Sequence, residues 1–181
     1  MKATLSTADL TNEVRDKLAK IDERMESTIE GLEFIKLPSQ LSDNAMAIEV
    51  ARLSEGQHDW LPTMQVAQIS FTELLPQAID AFGLNLDRED VWFVPPSNRL
   101  LAIFHDSRDA SATKGQTNRI VLGAGQTQAL LIPRGVCYGL RNLHEQTSYV
   151  ITLSSKQHDR TVDQNRLAWD FLGSTIFELN K

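Results

Sequence analysis

Val91-Trp-Phe-Val94-Pro-Pro-Ser-Asn98, followed by Leu100-Leu-Ala-Ile-Phe104, reads as two short β-runs divided by a turn. Proline fixes its own φ and has no amide donor, and Ser and Asn bond their own backbone, so residues 95–98 end one run and begin the next. The same rhythm extends in both directions. Further β-like runs fall at residues 32–37, 47–53, 66–71, 119–122, 129–132 and 148–153, eight in all. Between them lie the polar stretch 109–118, Gly123-Ala-Gly125, Pro133-Arg-Gly135 and His144-Glu-Gln-Thr147. No helix-length period interrupts residues 85–153. This predicts an all-β antiparallel sandwich or barrel, with the ligand site at an open mouth.

The chain start reads differently. Leu10, Val14, Leu18, Ile21 and Met25 recur at helical spacing, which predicts one amphipathic helix over residues 6–28. Ser6 or Thr7 can cap it, Asp9 suits its positive end, and Glu13 with Lys17 and Asp16 with Lys20 form favourably ordered pairs. Residues 1–28 are therefore expected to be an N-terminal α-helical extension, and 29–181 the β domain. Residues 167–173 and 176–179 have no clear period and read as a short helix or a cover segment.

The chain has 181 residues, 41% apolar and 23% charged, with nine Gly and six Pro, as suits one folded domain. Its net charge of −6 is the wrong sign for a nucleic-acid partner. The single cysteine, Cys137, forms no internal disulfide and fits a reducing compartment. No apolar run approaches a membrane span, and the start has polar and acidic residues where a signal peptide needs an apolar stretch. A cytoplasmic protein without membrane contact is expected.

Pro133-Arg-Gly135-Val-Cys-Tyr138-Gly-Leu-Arg-Asn142 resembles the second cupin motif, with Tyr138 where the motif has His. Gly83-Leu-Asn85-Leu-Asp-Arg-Glu89 stands where the first motif would carry His-x-His and a later Glu. Asp90-Val-Trp-Phe-Val-Pro-Pro-Ser97, Asp106-Ser-Arg108, Ile132-Pro-Arg-Gly-Val-Cys-Tyr-Gly139 and Leu167-Ala-Trp-Asp-Phe-Leu-Gly173 are similar to the dTDP-4-dehydrorhamnose 3,5-epimerase (RmlC-like) family, a subset of the cupins. Residues 29–37 resemble that family's opening strand. The resemblance implies a cupin jelly-roll (double-stranded β-helix) barrel, a homodimer, and a nucleotide-linked keto-sugar held without a cofactor. In that family a His takes a proton beside the carbonyl and a Tyr opposite supplies one.

The residues at those positions differ. The base position matches Gly83, the second His is Tyr138, the catalytic Tyr falls at Ile151 or Thr152, and residues 42–48 replace the early Arg-Gly pattern. No catalytic residue of the usual route is therefore assigned. With Gly83, Asn85 and Tyr138 at three cupin ligand positions, Glu89 stands alone, and His58, His105, His144 and His158 are scattered. No metal and no cofactor are expected.

Strand alternation puts Asp90, Trp92 and Val94 on one face, which the resemblance makes the interior. An inward Asp90 needs a polar pocket or a partner such as Arg99. Asn85 and Tyr138 reach the pocket by the resemblance, and Tyr149 shares the parity of Ile151. The expected substrate-binding set is Asn85, Asp90, Trp92, Tyr138 and Tyr149. Gly83 would leave room for a different ligand, Cys137 would point into packing, and Arg134 and Arg141 could meet a phosphate. Three readings stay open. They are a metal-free cupin that binds or transforms a polar small molecule such as a nucleotide-sugar, a non-catalytic structural or regulatory dimer, and an active epimerase or isomerase using Asp90 or Glu89 as base.

Overall fold

The computed structural model describes residues 27–158 and 165–179, and these form an all-β structure. In chain order the strands are β1 (Glu33–Lys36), β2 (Ser39–Leu41), β3 (Met46–Ile48), β4 (Leu53–Ser54), β5 (Gln57–His58), β6 (Leu61–Gln65), β7 (Gln68–Leu74), β8 (Ile79–Leu84), β9 (Asp90–Phe93), β10 (Arg99–Asp106), β11 (Thr117–Gly123), β12 (Gln128–Ile132), β13 (Val136–Asn142) and β14 (Ser148–Ser154). A five-stranded antiparallel sheet, β1-β12-β9-β14-β7, faces a four-stranded one, β11-β10-β13-β8. From β7 to β14 the chain crosses between the two at each connection except the β10–β11 hairpin, which is the winding of a jelly roll.

Among the described residues no hydrogen-bonded ladder joins the two sheets, so the expected barrel is instead an open sandwich. Most of the expected helix lies outside the described residues; residues 27 and 28 at its end are not helical. The run at 47–53 is not one strand. It divides between β3 and β4, because the segment folds as two small separate sheets, β2-β3 and β4-β5-β6. β8 and β13 had no counterpart among the expected runs, and the tail is a cover of turns without a helix.

Three apolar layers hold this together. Leu100, Ala102 and Phe104 of β10 meet Trp92, Leu130 and Ile132 between the sheets. Val91, Phe93 and Leu153 face outward under Leu37, Leu61 and Met64, and Leu101, Ile103 and Cys137 face outward under Phe177 of the tail. With both faces covered, β9 is buried at all four positions and β10 at six of eight. Burying each large side chain of this kind contributes about 1.5–3 kcal/mol.

The cupin-like motif residues act as braces. Asp106 is fully buried, takes Arg108 Nε and Nη2 at 2.8 Å each, and has the Ser111 and Thr113 hydroxyls at 2.6 Å. The Arg108 guanidinium and these hydroxyls hold the Asp106 carboxyl well below the usual carboxylate range. Gly135 has φ +77°, and a β-carbon there would lie 2.5 Å from Arg108 Cγ. Asn142 ties the turn before β14: its amide donates to the Leu74, Leu75 and Gln146 carbonyls, and its oxygen accepts from His144 N–H and the Ser148 hydroxyl.

Candidate functional site

A cavity of about 520 Å³ opens between the sheets at the end formed by β7, β8, β13 and β14. Its five-stranded wall is set by register. Gln68 pairs with Ser154, Ser70 with Thr152 and Thr72 with Val150, and across the next ladder Ser154 meets Asp90 and Thr152 meets Trp92. Two rows therefore run over one face, Gln68–Ser154–Asp90 and Ser70–Thr152–Trp92, carrying hydroxyls, an amide, a carboxylate and one ring. Opposite them stand Gly83 and Tyr138, which are partners in the β8–β13 ladder. Asn85 and Arg88 come from the loop before β9, and Arg166 from the tail, whose residue 166 bridges to Gly83.

Asn85, Asp90, Trp92 and Tyr138 all line this cavity. Tyr149 does not. It lies on the opposite face of β14 with Ile151 and stacks on Phe71 at 5.2 Å, because inward parity belongs to Val150, Thr152 and Ser154. Neither Arg134 nor Arg141 reaches the cavity; Arg141 Nη1 instead donates to the Phe177 carbonyl at 2.7 Å. The partner of Asp90 is Arg88, Nε to Oδ1 at 3.5 Å, whereas Arg99 is exposed at the start of β10. Sequence reasoning missed Ser70, Thr72, Arg88, His158 and Arg166. The polar alternation Gln68-Ile-Ser-Phe-Thr72 was the available signal for the first two.

Asp90 is 3% exposed and accepts from Asn85 Nδ2 and Ser154 Oγ, both at 2.6 Å. Burial, and then the Asp90 charge, push the Tyr138 phenol up to about 12, so it serves as a donor rather than a base. Burial likewise raises the Cys137 thiol to about 12, which leaves it an inert packing group on the outer face. Arg88 Nη1 lies 2.8 Å from His158 Nδ1. A guanidinium only donates, so Nδ1 is the acceptor and the neutral ring carries its proton on Nε2. Asp80, with its side chain 47% exposed and held by Arg166 at 2.7 Å, is the accessible carboxylate of the lining.

Gly83 leaves no empty space. A β-carbon there would sit 2.6 Å from Tyr138 Cε2, so the phenol ring already occupies the room a side chain at 83 would take. Trp92 meets the same ring edge-on at 4.9 Å. Among the described residues no three His, Cys, Asp or Glu side chains are grouped as metal ligands.

The chain matches no protein-family model. It is 29% identical over 143 residues to the spore coat polysaccharide biosynthesis protein SpsL of Bacillus subtilis (strain 168), covering 78% of this chain and 91% of that one. The dTDP sugar isomerase of Desulfovibrio desulfuricans G20 superposes with a TM-score of 0.69 at 22% identity, over 80% of this chain and 88% of that chain. The dTDP-6-deoxy-D-glucose-3,5-epimerase RmlC of Legionella pneumophila Philadelphia 1, in complex with dTDP-4-keto-L-rhamnose, superposes with a TM-score of 0.62 at 15% identity, over 74% and 71%. In fold, the chain is RmlC-like. Of the two candidate positions for the family's Tyr in this RmlC-like sandwich, Thr152 faces the cavity and Ile151 faces away.

Proposed function

We propose that the chain holds a nucleotide-linked sugar in the cavity between its sheets and does not exchange protons with it by the His-and-Tyr route. The observation that carries this reading is the polar inner face of β7 and β14. Inward hydroxyls cost free energy in a sandwich core unless something polar meets them, and here they face a cavity of ligand size beside two rings. The ligand of the Legionella relative supports the choice of ligand class. Gly83 at the expected base position, and Thr152 facing the cavity at one of the two positions expected for the Tyr, support the loss of the usual route. The test pairs thermal shift with dTDP-sugars and deuterium wash-in at the carbons beside the sugar carbonyl. Stabilisation that Trp92→Ala and Thr152→Val weaken is expected, with no exchange above background, since each general acid or base typically contributes about 10²–10⁴ in rate. Absence of binding to any nucleotide-sugar overturns the proposal in favour of a structural or regulatory protein.

A second reading rests on Asp80. Of the carboxylates lining the cavity it is the one open to a ligand, whereas Asp90 is buried with both oxygens bonded and Glu89 does not line the cavity. Exchange at an enzymatic rate that Asp80→Asn abolishes would establish that reading. The homodimer belongs to the same proposal. β7 has no partner strand on its outer edge among the described residues and exposes Ile69 and Phe71, and light scattering at low micromolar concentration tests the pairing.

A further inference from the structure

Asp90 lines the cavity, yet its hydrogen bonds are already committed. A carboxylate can only accept, so the Asn85 group 2.6 Å from Oδ2 has to be the amide nitrogen. That fixes the flip of the Asn85 side chain. Its other end, Oδ1, turns toward the Tyr138 hydroxyl, 3.5 Å away and at the long limit of a hydrogen bond. Tyr138 is itself held, its ring pressed on Gly83 and set edge-on to Trp92. An acceptor and a donor thus stand side by side on the cavity lining, each fixed from behind.

We infer that Asp90 is a positioning residue that locks Asn85 Oδ1 toward the cavity, so that Asn85 Oδ1 and the Tyr138 hydroxyl together read one hydroxyl of the bound sugar. A hydroxyl satisfies both partners, donating to Asn85 and accepting from Tyr138. A keto oxygen accepts only; it would satisfy Tyr138 and face Asn85 Oδ1 lone pair to lone pair. This rests on the sugar-binding reading above and sharpens its substrate class: the sugar carbon at this point carries a hydroxyl, not an oxo group. A buried polar group left without its partner is the means by which such sites discriminate strongly.

The experiment compares the affinities of dTDP-6-deoxyglucose and its 4-keto counterpart, which differ in a hydroxyl against an oxo group, by calorimetry. The unsubstituted chain should prefer the hydroxyl form by about tenfold or more. In Asp90→Asn the neighbouring amide can offer either end, Asn85 is free to turn over, and the preference should shrink to within about threefold. Tyr138→Phe, which keeps the ring, removes a donor to the keto oxygen and leaves Asn85 Oδ1 in place, so the preference should persist or grow. This variant keeps the test open if Asp90→Asn does not fold. Equal binding of the two sugars to the unmodified chain, or a preference abolished by Tyr138→Phe, overturns the inference while leaving sugar binding intact. Binding of neither sugar overturns the hydroxyl assignment together with the ligand reading. The Asn85 lock has its own readout. Its Nδ2 protons should exchange slowly with water in a ¹⁵N–¹H spectrum of the unliganded protein, and rapid exchange shows that Asp90 does not hold them.

Discussion

The interior of the sandwich has two ends built on the same alternation and filled with opposite chemistry. At one end Leu100, Ala102, Phe104, Ile120 and Leu130 pack together, buried between the sheets. At the other, β7 and β14 turn Gln68, Ser70, Thr72, Thr152 and Ser154 inward, with Val150 as the apolar member beside them, and the space stays open. Trp92 marks the border, with its ring 5.9 Å from Phe104 on the dry side and 4.9 Å from Tyr138 on the wet side. The difference teaches that a jelly roll advertises its site by where the inward face turns polar. A wall of hydroxyls has no packing purpose, whereas Asp106 and Asn142, also buried and polar, are saturated by their own loops.

The comparison is tested most severely at the dry end. Phe104→Ala, at a position with no exposure, should lower unfolding free energy by about 3–5 kcal/mol, whereas Thr152→Val at the wet end should change it by less than about 1 kcal/mol. Denaturant unfolding of both variants measures the contrast, and similar losses would mean that the wet wall is ordinary core. At the border, Gly83→Ala forces the Tyr138 ring to move and should cost about 1–3 kcal/mol. Adding Tyr138→Ala should recover part of that cost, so the double variant should be more stable than the summed single effects; strict additivity would separate the two residues.

The smallest effect belongs to neither end. His58, 1% exposed beneath the outer hairpins, accepts the Trp60 amide at Nδ1, and burial lowers its pKa, opposed by the charge of Asp59. The unfolded chain takes up the proton near pH 6.5 while the folded chain resists it. Stability from this group is therefore full above that pH and declines as the pH falls below it. Thermal midpoints between pH 7.5 and 5 should drop less in His58→Gln than in the unsubstituted chain.

The all-β class was legible because Pro95–Asn98, Gly123–Gly125 and Pro133–Gly135 break the chain at strand-length intervals. β8 and β13 were less legible, since Ile79-Asp-Ala-Phe-Gly-Leu84 and Val136-Cys-Tyr-Gly-Leu-Arg-Asn142 each carry a glycine in mid-strand where a side chain from elsewhere fills the gap. Of the site, Asn85, Asp90, Trp92 and Tyr138 came from motif spacing and parity. Tyr149 was misplaced because parity alone cannot say whether Ile151 or Thr152 faces in; the pairing of Thr152 with Trp92 decides it. Ser70 and Thr72 were not singled out, because a polar alternation in a strand ordinarily marks a solvent face. Arg166 had no local signal at all, because only the returning tail brings it beside Gly83.

That tail is clamped by Arg119 and Arg141, which donate to the carbonyls of Ile176, Phe177 and Glu178, and by Phe177 seated over Gly139. Its place has a consequence for the order of events during synthesis. A nascent chain that has emerged as far as β14 already contains every strand of both sheets, yet it lacks Asn165 and Arg166 on the cavity lining. At about 5–20 residues per second the remaining stretch follows within a few seconds, so the scaffold can form before its pocket is whole. The cavity lining is completed only after the strands of both sheets have been made.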